Sequence, residues 1–357
     1  MISRHAAPIP SFDNVLRIKP DVPLASAPAR SVRIEEVARL AGVSPITVSR
    51  ALHQPHKVAE AKRLHILDIV AQTGYASNPH ARALRSGQSN VVAAFVSNLL
   101  SAQFLLAVQG CTEVLEAEGY QMIVGQTAYS YEKESSVIES LRAVRPAAVL
   151  FTGIIEMEEN RRKLAELGIP VMETWAYPRD PIDMLVGFSN HDGGRLAAEH
   201  LAARGYRKLA FLGRQGGRGA LRLRGFREAA AELGVSIALE LTVDHPKTIA
   251  DGRAAFTRLL DMKPDVDAVF CANDVLAIGA VFEARHRGIR VPQDMALLGF
   301  GDTDISSELQ PPLTTITVDH RELGQRAGAM LAKRLRGETL DSRIDVLDLQ
   351  LILREST

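Results

Sequence analysis

Cysteine is scarce in this chain. The 357 residues contain two, Cys111 and Cys271. Both lie in apolar stretches typical of a helix or a strand, so we expect buried, reduced thiols rather than a disulfide. The chain also lacks a run of roughly 18 apolar residues, the length that a membrane-spanning helix needs. Its first residues contain no apolar core typical of a signal peptide. These absences predict a cytoplasmic protein with no membrane partner.

Motifs of cofactor-binding and hydrolytic enzymes are missing or incomplete. Residues 213–219, GRQGGRG, follow a predicted strand and open a predicted helix, but they lack the G-x-G-x-x-G spacing of a dinucleotide-binding loop. Ser189, in GFSNH, lacks the second glycine of a nucleophile elbow. His53, His56 and His65 have no accompanying cysteines or carboxylates that suggest a metal site. We therefore predict no enzyme, no cofactor and no metal.

A net charge of zero hides an uneven distribution. Residues 1–90 contain 12 Lys and Arg against 6 Asp and Glu, an excess of +6, which leaves −6 for the remaining residues. A basic front joined to an acidic body is typical of a nucleic-acid-binding domain attached to a domain with another role. The length allows two or three domains. Residues 1–31 hold five prolines and little periodicity, so we predict a disordered extension there.

Residues 34–52 carry the pattern of two short helices joined by a tight turn. Apolar residues recur at helical spacing from Ile34 to Ala41. Gly42 should end this helix, because glycine adopts the left-handed conformation without steric cost. Ser44 can cap the next helix, and the proline after it lacks an amide proton that would be unpaired anyway. The pattern predicts a helix-turn-helix.

This region resembles the DNA-binding headpiece of the LacI/GalR family of bacterial repressors. The matching motif is V-A-x-x-A-G-V-S-x-x-T-V-S-R over residues 37–50, followed by Val58 and a predicted third helix over about 60–73. G-Y-x-x-N-x-x-A-R-x-L then follows over residues 74–84. More than ten positions match in fixed register. The resemblance implies a DNA-binding domain over residues 32–76 that binds double-stranded operator DNA.

The resemblance also implies roles for the second helix, which would lie in the major groove. Pro45 and Ile46 offer apolar contacts to bases, whereas Arg50 can bind guanine through two hydrogen bonds. Thr47 and Ser49 are better placed for phosphates, which position a protein without specifying sequence. The predicted DNA contacts in this segment are Ser44, Pro45, Ile46, Thr47, Ser49 and Arg50.

Residues 77–89 are predicted to form a hinge helix and linker. The segment NPHARALRSG resembles the family's hinge helix, which folds on operator DNA and pushes a leucine into the minor groove. By register that leucine is Leu84, and apolar wedges of this kind kink a base step. Asn78 and Arg82 are the other predicted DNA contacts here. One departure is Ser77, where many relatives have proline.

From residue 90 onward, short β-branched runs alternate with amphipathic helical patterns. Such alternation gives parallel sheets covered by helices, and the pattern restarts near residues 185–190. We predict an α/β core of two doubly wound lobes, which by resemblance is like the periplasmic sugar-binding proteins. The N-lobe is predicted at about 90–187 and 314–340, and the C-lobe at about 188–313 and 341–357.

Ligands in such sheets bind beyond the carboxyl ends of the strands. By resemblance, Arg222 grips the hydroxyls of an effector, Asn273 contacts it from a strand end, and Phe188 is an aromatic residue of the pocket. Core packing is the alternative for Trp175, and helix capping for Asn273. The predicted effector contacts are Trp175, Phe188, Arg218, Arg222, Asn273 and Asp302.

Residues 295–302, MALLGFGD, depart from the family, whose segment usually ends Gly-[Phe/Tyr]-Asp-Asp. Gly301 replaces the first aspartate and Asp302 keeps the second. An aspartate at this position would accept hydrogen bonds from the hydroxyls of a neutral sugar, so its loss makes a neutral sugar a poorer ligand. Guanidinium groups, by contrast, favour carboxylates and phosphates. Arginines cluster nearby at positions 214, 218, 222 and 224. Together with similarity to the gluconate-operon repressors at 173–175, 181–189 and 299–302, this predicts gluconate or a related aldonate, phosphorylated or not.

The chain is thus predicted to be a homodimeric transcriptional repressor of sugar or sugar-acid catabolic genes, released from a pseudo-palindromic operator by a small effector. A neutral or phosphorylated sugar effector remains an alternative, and so does a ligand that acts as co-repressor. Outside this class, a binding receptor or a sugar-active enzyme is the competing hypothesis. The headpiece and the absent signal peptide argue against the receptor, and the incomplete enzyme motifs argue against the enzyme.

Overall fold

Two compact units make up the chain, Met1–Asn78 and Pro79–Thr357. The computed structural model describes residues 32–53, 55–75, 89–244, 246–262 and 265–357. The predicted extension at 1–31 and the predicted hinge contacts Asn78, Arg82 and Leu84 lie outside the described residues.

The first unit contains three α-helices in its described part, α1 Ile34–Leu40, α2 Pro45–His53 and α3 Glu60–Thr73, with a short 3-10 helix, Pro55–Lys57, before α3. Gly42 has a φ of 60°, as the turn between α1 and α2 requires. The Ser44 hydroxyl accepts a hydrogen bond from the Thr47 backbone N–H at 3.3 Å and so caps α2. Apolar side chains from all three helices form the core, namely Val37, Ala38, Ala41, Val48, Ala51, Ile66 and Ile69. This arrangement confirms the predicted helix-turn-helix.

Strands and helices alternate through the second unit. Its first half contains β1 Val91–Val96, α4 Ala102–Ala117, β2 Gln121–Gln126, α5 Tyr131–Val144, β3 Ala148–Phe151, α6 Glu158–Ala165, β4 Val171–Thr174 and β5 Met184–Gly187. Its second half contains α7 Asn190–Ala203, β6 Lys208–Arg214, α8 Gly217–Glu232, β7 Ser236–Val243, α9 Ile249–Asp261, β8 Ala268–Cys271, α10 Asp274–Arg287, β9 Ala296–Phe300, α11 Ile305–Glu308, β10 Thr314–Thr317, α12 His320–Leu335, β11 Ile344–Val346 and β12 Gln350–Ile352. None of the described helices is long and apolar enough to cross a membrane.

These strands form two six-stranded sheets, one for each lobe. The first sheet has the order β11-β5-β4-β3-β1-β2, and all of its pairs are parallel. The second has the order β12-β10-β9-β8-β6-β7, in which only the β10–β12 pair is antiparallel. The central strands are buried, because helices cover both faces of parallel sheets. The predicted two-lobed doubly wound core is confirmed.

Two lobe boundaries near the C-terminus differ from the sequence prediction. Thr314–Thr317, expected in the N-lobe, pairs with β9 in the second sheet. Ile344–Val346, expected in the C-lobe, pairs with β5 in the first sheet. Residues 344–352 therefore contain two strands that belong to different sheets. The chain crosses between lobes after β10 and again after β11, and a hydrophobic pattern does not reveal which sheet a short strand joins.

Helices α7 and α8 touch backbone to backbone in the second lobe. A Cβ atom added at Gly225 would lie 1.9 Å from the His191 carbonyl oxygen, and one at Gly194 would lie 1.9 Å from the Arg222 carbonyl oxygen. Only glycine permits this approach at both positions. The contact brings Arg222 of α8 beside Asn190, the first residue of α7.

Replacing Gly225 by alanine should destabilise the second unit by about 1–3 kcal/mol, because overpacking forces the two backbones apart. Denaturant unfolding of the purified protein measures this change. Arg224→Ala, an exposed change on the same helix, is the control and should stay within about 0.5 kcal/mol of wild type. If Gly225→Ala were as stable as Arg224→Ala, α7 and α8 could move apart to admit a methyl group without a loss of stability, which would contradict the prediction.

Candidate functional site

A cavity of about 410 Å³ lies between the two lobes, beyond the carboxyl ends of their strands. Gln103, Phe104, Tyr129 and Trp175 from the first lobe line it. The second lobe contributes, among others, Arg214, Arg218, Arg222 and Asn273. A second cavity of about 310 Å³ shares Tyr129, Arg214 and Arg218 with the first. Of the predicted effector contacts, the structure therefore brings Trp175, Arg218, Arg222 and Asn273 together.

Arg222 is the most rigidly held of the cavity arginines, with 8% of its surface exposed. Its Nε donates to Asn190 Oδ1 at 3.0 Å, and its Nη1 donates to the Ala272 carbonyl oxygen. The guanidinium carbon lies 3.5 Å from the centre of the Phe300 ring. Burial, and then the charge of Arg218, lower the pKa of Arg222 to about 9, so it stays a cation at neutral pH. A guanidinium has five N–H donors, which leaves some for a ligand.

The other two arginines stack on aromatic rings of the first lobe. The guanidinium carbon of Arg214 lies 4.5 Å from the Tyr129 ring centre, and that of Arg218 lies 5.2 Å from the Phe104 ring centre. Arg214 Nε and Arg218 Nη1 are buried and have no hydrogen-bond partner among the residues that the structure describes. Burial lowers the pKa of Arg218. Both side chains are thus placed by packing rather than by ion pairs.

None of these three arginines forms an ion pair with a carboxylate among the residues that the structure describes. By contrast, Arg224 and Arg227 on the solvent side of α8 pair with Glu228 and Glu240. A buried charge is costly unless it is paired. The cavity therefore holds positive charge that an anionic ligand would neutralise.

Two aspartates near the cavity are already engaged. The Asp274 carboxylate is buried and accepts hydrogen bonds from the Thr303 backbone N–H, the Ser306 hydroxyl and the Thr315 hydroxyl at 2.8–3.1 Å. Burial raises the pKa of Asp274, and these donors oppose the rise. Asp302, a predicted effector contact, pairs with Arg354 at 2.7 Å and is not on the cavity wall.

The two predicted aromatic contacts have different positions. Trp175 lines the cavity, although it is only 2% exposed. It packs edge-on against Phe104 with ring centres 4.9 Å apart and stacks on His320 at 5.6 Å. Phe188 is fully buried and stacks on Phe300 at 6.1 Å, so it lies behind the wall rather than on it.

Asn273 caps a helix and also lies on the cavity wall, so its predicted effector contact stays a prediction. Its Oδ1 accepts a hydrogen bond from the Leu276 N–H at 2.9 Å and caps α10, while the residue also lines the cavity. Capping uses the oxygen and leaves the Nδ2 group as a donor.

Two residues of the cavity wall, Tyr129 and Trp175, and two residues adjacent in sequence to wall residues, Ala128 and Asp302, have left-handed backbone conformations. Ala128, Tyr129, Trp175 and Asp302 have φ values of 53°, 57°, 69° and 52° although none is a glycine. Such conformations persist only where the surrounding structure holds them, which is frequently at a binding site.

The outer face of α2 in the first unit carries residues that the sequence predicts to contact DNA. Ile46 is 61% exposed and Arg50 is exposed, whereas Val48 is buried. Pro45, Thr47 and Ser49 are half-buried, and the Thr47 hydroxyl lies 2.9 Å from that of exposed Ser44. An apolar and a cationic side chain thus project from one helix, as base recognition in the major groove requires.

Comparison with known proteins agrees with both units. Residues 33–78 match the description "Bacterial regulatory proteins, lacI family", and residues 198–357 match "Periplasmic binding protein-like domain". The HTH-type transcriptional regulator GntR of Pseudomonas aeruginosa is 39% identical over 327 residues, which cover 91% of this chain and 95% of that protein. The chain belongs to the LacI family of bacterial transcriptional regulators. It is a DNA-binding regulator and not an enzyme.

Solved structures of LacI-family members have the same fold. A LacI-family regulator from Silicibacter pomeroyi is 30% identical with a TM-score of 0.83, covering 91% of this chain and 99% of that one. The lac repressor dimer bound to operator and the anti-inducer ONPF is 26% identical with a TM-score of 0.80, covering 92% of this chain and 99% of that one.

Several wall residues of this LacI-family protein were missed by the sequence analysis. Gln103 and Phe104 open the helix that follows β1, and Tyr129 lies in the loop that follows β2. Their position directly after predicted strands was the available signal, since ligands bind at the carboxyl ends of such strands.

The buried His320 ring should make stability of this LacI-family protein depend on pH. Its Nε2 donates to the Gly301 carbonyl oxygen at 3.0 Å, and its Nδ1 has no hydrogen-bond partner in the described part of the chain. Burial lowers the pKa of His320 in the folded state. The unfolded chain therefore binds more protons below about pH 6.5, so stability should fall as the pH is lowered through that value.

Thermal unfolding at pH 7.5 and 5.5 measures this dependence. The melting temperature of His320→Gln should fall less between the two values than that of wild type. His286→Gln removes an exposed histidine from the second lobe and should behave like wild type. An unchanged pH dependence in His320→Gln would contradict the assignment.

Proposed function

We propose that this regulator is a repressor of sugar or sugar-acid catabolic genes that gluconate or a related aldonate releases from its operator. One observation carries the effector class: Arg222 is a buried cation on the cavity wall without a carboxylate partner among the described residues. Arg214 and Arg218 add charge beside it. A carboxylate suits a guanidinium through paired hydrogen bonds, and sugar hydroxyls suit the Asn273 amide.

The effector acts through the two lobes that it contacts. In this proposal it changes their relative orientation and thereby misaligns the two hinge helices of a homodimer. A coupling of roughly 1–3 kcal/mol would lower operator affinity by about 5–150-fold. The solved lac repressor dimer on its operator supports a dimeric arrangement. Each headpiece then recognises one half-site through Pro45, Ile46 and Arg50, with Leu84 in the minor groove.

Fluorescence anisotropy tests the proposal on a labelled palindromic operator that the protein has selected from random DNA. Titrations run with and without gluconate at one fixed salt concentration, because phosphate contacts make affinity strongly salt-dependent. Weaker binding with gluconate is the expected result. Unchanged binding would redirect the effector search to neutral or phosphorylated sugars, and tighter binding would make the ligand a co-repressor.

A further inference from the structure

Gly301 and Gln103 occupy the same space from opposite lobes. Gly301 follows β9 with a φ of 140°, and a Cβ atom added there would lie 1.6 Å from Gln103 Nε2. The Gln103 carboxamide therefore sits where any side chain at position 301 would begin. Any larger residue at 301 has to displace it.

The Gln103 carboxamide is available to a ligand. Gln103 lines the cavity, is half-buried, and makes no side-chain hydrogen bond to another described residue. A carboxamide supplies two N–H donors and an acceptor oxygen without carrying a charge. It can therefore donate to a carboxylate oxygen without the charge repulsion that a carboxylate side chain would cause.

The carboxylates on the same wall are not free to compete. Among the described residues these are Asp274 and Asp304. Asp274 is bound by three donors, and Asp304 accepts from the Ile305 N–H at 2.9 Å at the exposed start of α11. A carboxylate at position 103 would instead lie on the cavity wall that Arg222 also lines, and there it would repel an acidic ligand.

We propose that Gln103 is a specificity-determining residue that hydrogen-bonds the effector, and that Gly301 is there to admit it. The neutral amide of Gln103, from the first lobe, takes the place of the aspartate that the family usually has at position 301 in the second lobe. This exchange selects a sugar acid over the corresponding neutral polyol. This inference rests on the proposed function, since it assumes an acidic effector.

Trp175 is the single tryptophan of the chain and lines the cavity, so its fluorescence reports binding directly. Full-length protein is titrated with gluconate and with sorbitol, its neutral counterpart. Gln103→Ala should weaken gluconate binding about tenfold, the loss expected for one hydrogen bond. Gln103→Glu should weaken it about 100-fold or more while sorbitol binding does not decrease, because only the acid is repelled.

Two further variants separate the effect of a negative charge at position 301 from the steric clash of a side chain there with Gln103. Gly301→Asp should lose gluconate affinity, but its backbone conformation disfavours any side chain and the variant can fail to fold. The double variant Gln103→Ala with Gly301→Asp removes the collision, so weaker gluconate binding than in Gln103→Ala alone would report the charge. Gln109→Ala, an exposed change on the same helix, should bind like wild type. Thermal unfolding and operator binding verify that each variant is folded.

The outcomes distinguish the two proposals. Wild-type binding of gluconate that survives in Gln103→Ala and Gln103→Glu would overturn the role of Gln103 and leave the proposed function standing. A wild-type protein that prefers sorbitol, or binds no gluconate, would overturn the acidic effector and with it the selectivity assigned to Gln103. Equal losses of both ligands in Gln103→Glu would mean that the residue shapes the cavity without selecting charge.

Discussion

Replacing Arg222 by alanine should lower gluconate affinity by roughly 100-fold or more while basal operator binding persists. A hydrogen bond to a charged group contributes about 1.5–3 kcal/mol, and a tenfold change corresponds to about 1.4 kcal/mol, so two such bonds account for the loss. Arg222 is also held in place before the ligand arrives, by Asn190, Ala272 and the Phe300 ring. A ligand therefore does not have to order this side chain.

Operator release by gluconate, followed by anisotropy, is the measurement for Arg222→Ala. Arg224→Ala provides the matched control, because Arg224 is on the same helix but exposed and paired with Glu228. A normal response in Arg222→Ala would show that the effector binds elsewhere. Loss of operator binding itself would indicate that the substitution damages the fold.

Replacing Arg50 by alanine should abolish the preference for operator over random DNA and leave effector affinity unchanged. Arg50 projects from the exposed face of α2 and is the residue there able to bind guanine through two hydrogen bonds. A good pair of this kind contributes about 1–3 kcal/mol of discrimination at each half-site, and a dimer has two half-sites. The expected loss of specificity is therefore about 2–6 kcal/mol.

Arg50→Lys separates base recognition from charge. Lysine keeps the positive charge near the phosphates but lacks the planar fork of arginine. Binding to random DNA should stay close to wild type in Arg50→Lys, while the preference for operator falls. Parallel losses of operator binding and of effector binding in Arg50→Ala would contradict the assignment of separate roles to the two units.

Local patterns were sufficient for most of the fold. Gly42 and Ser44 predicted the turn and cap that the structure has, because both effects act within a few residues. The short β-branched runs after residue 90 predicted strands, and Val91–Val96 and Ala268–Cys271 are central strands of the two sheets. The half-exposed edge strand Ser236–Val243 was missed, since its mixture of buried and exposed residues gives a weak pattern.

By itself, then, the sequence determined the family, the helix-turn-helix and the two α/β lobes, because motifs and hydrophobic periodicity are local properties. Only the tertiary structure decided which sheet Thr314–Thr317 and Ile344–Val346 join. It also decided that Asp302 pairs with Arg354 away from the cavity, and that Gln103 fills the space at Gly301. Contacts between residues nearly 200 positions apart depend on how two lobes approach each other, which no local pattern encodes.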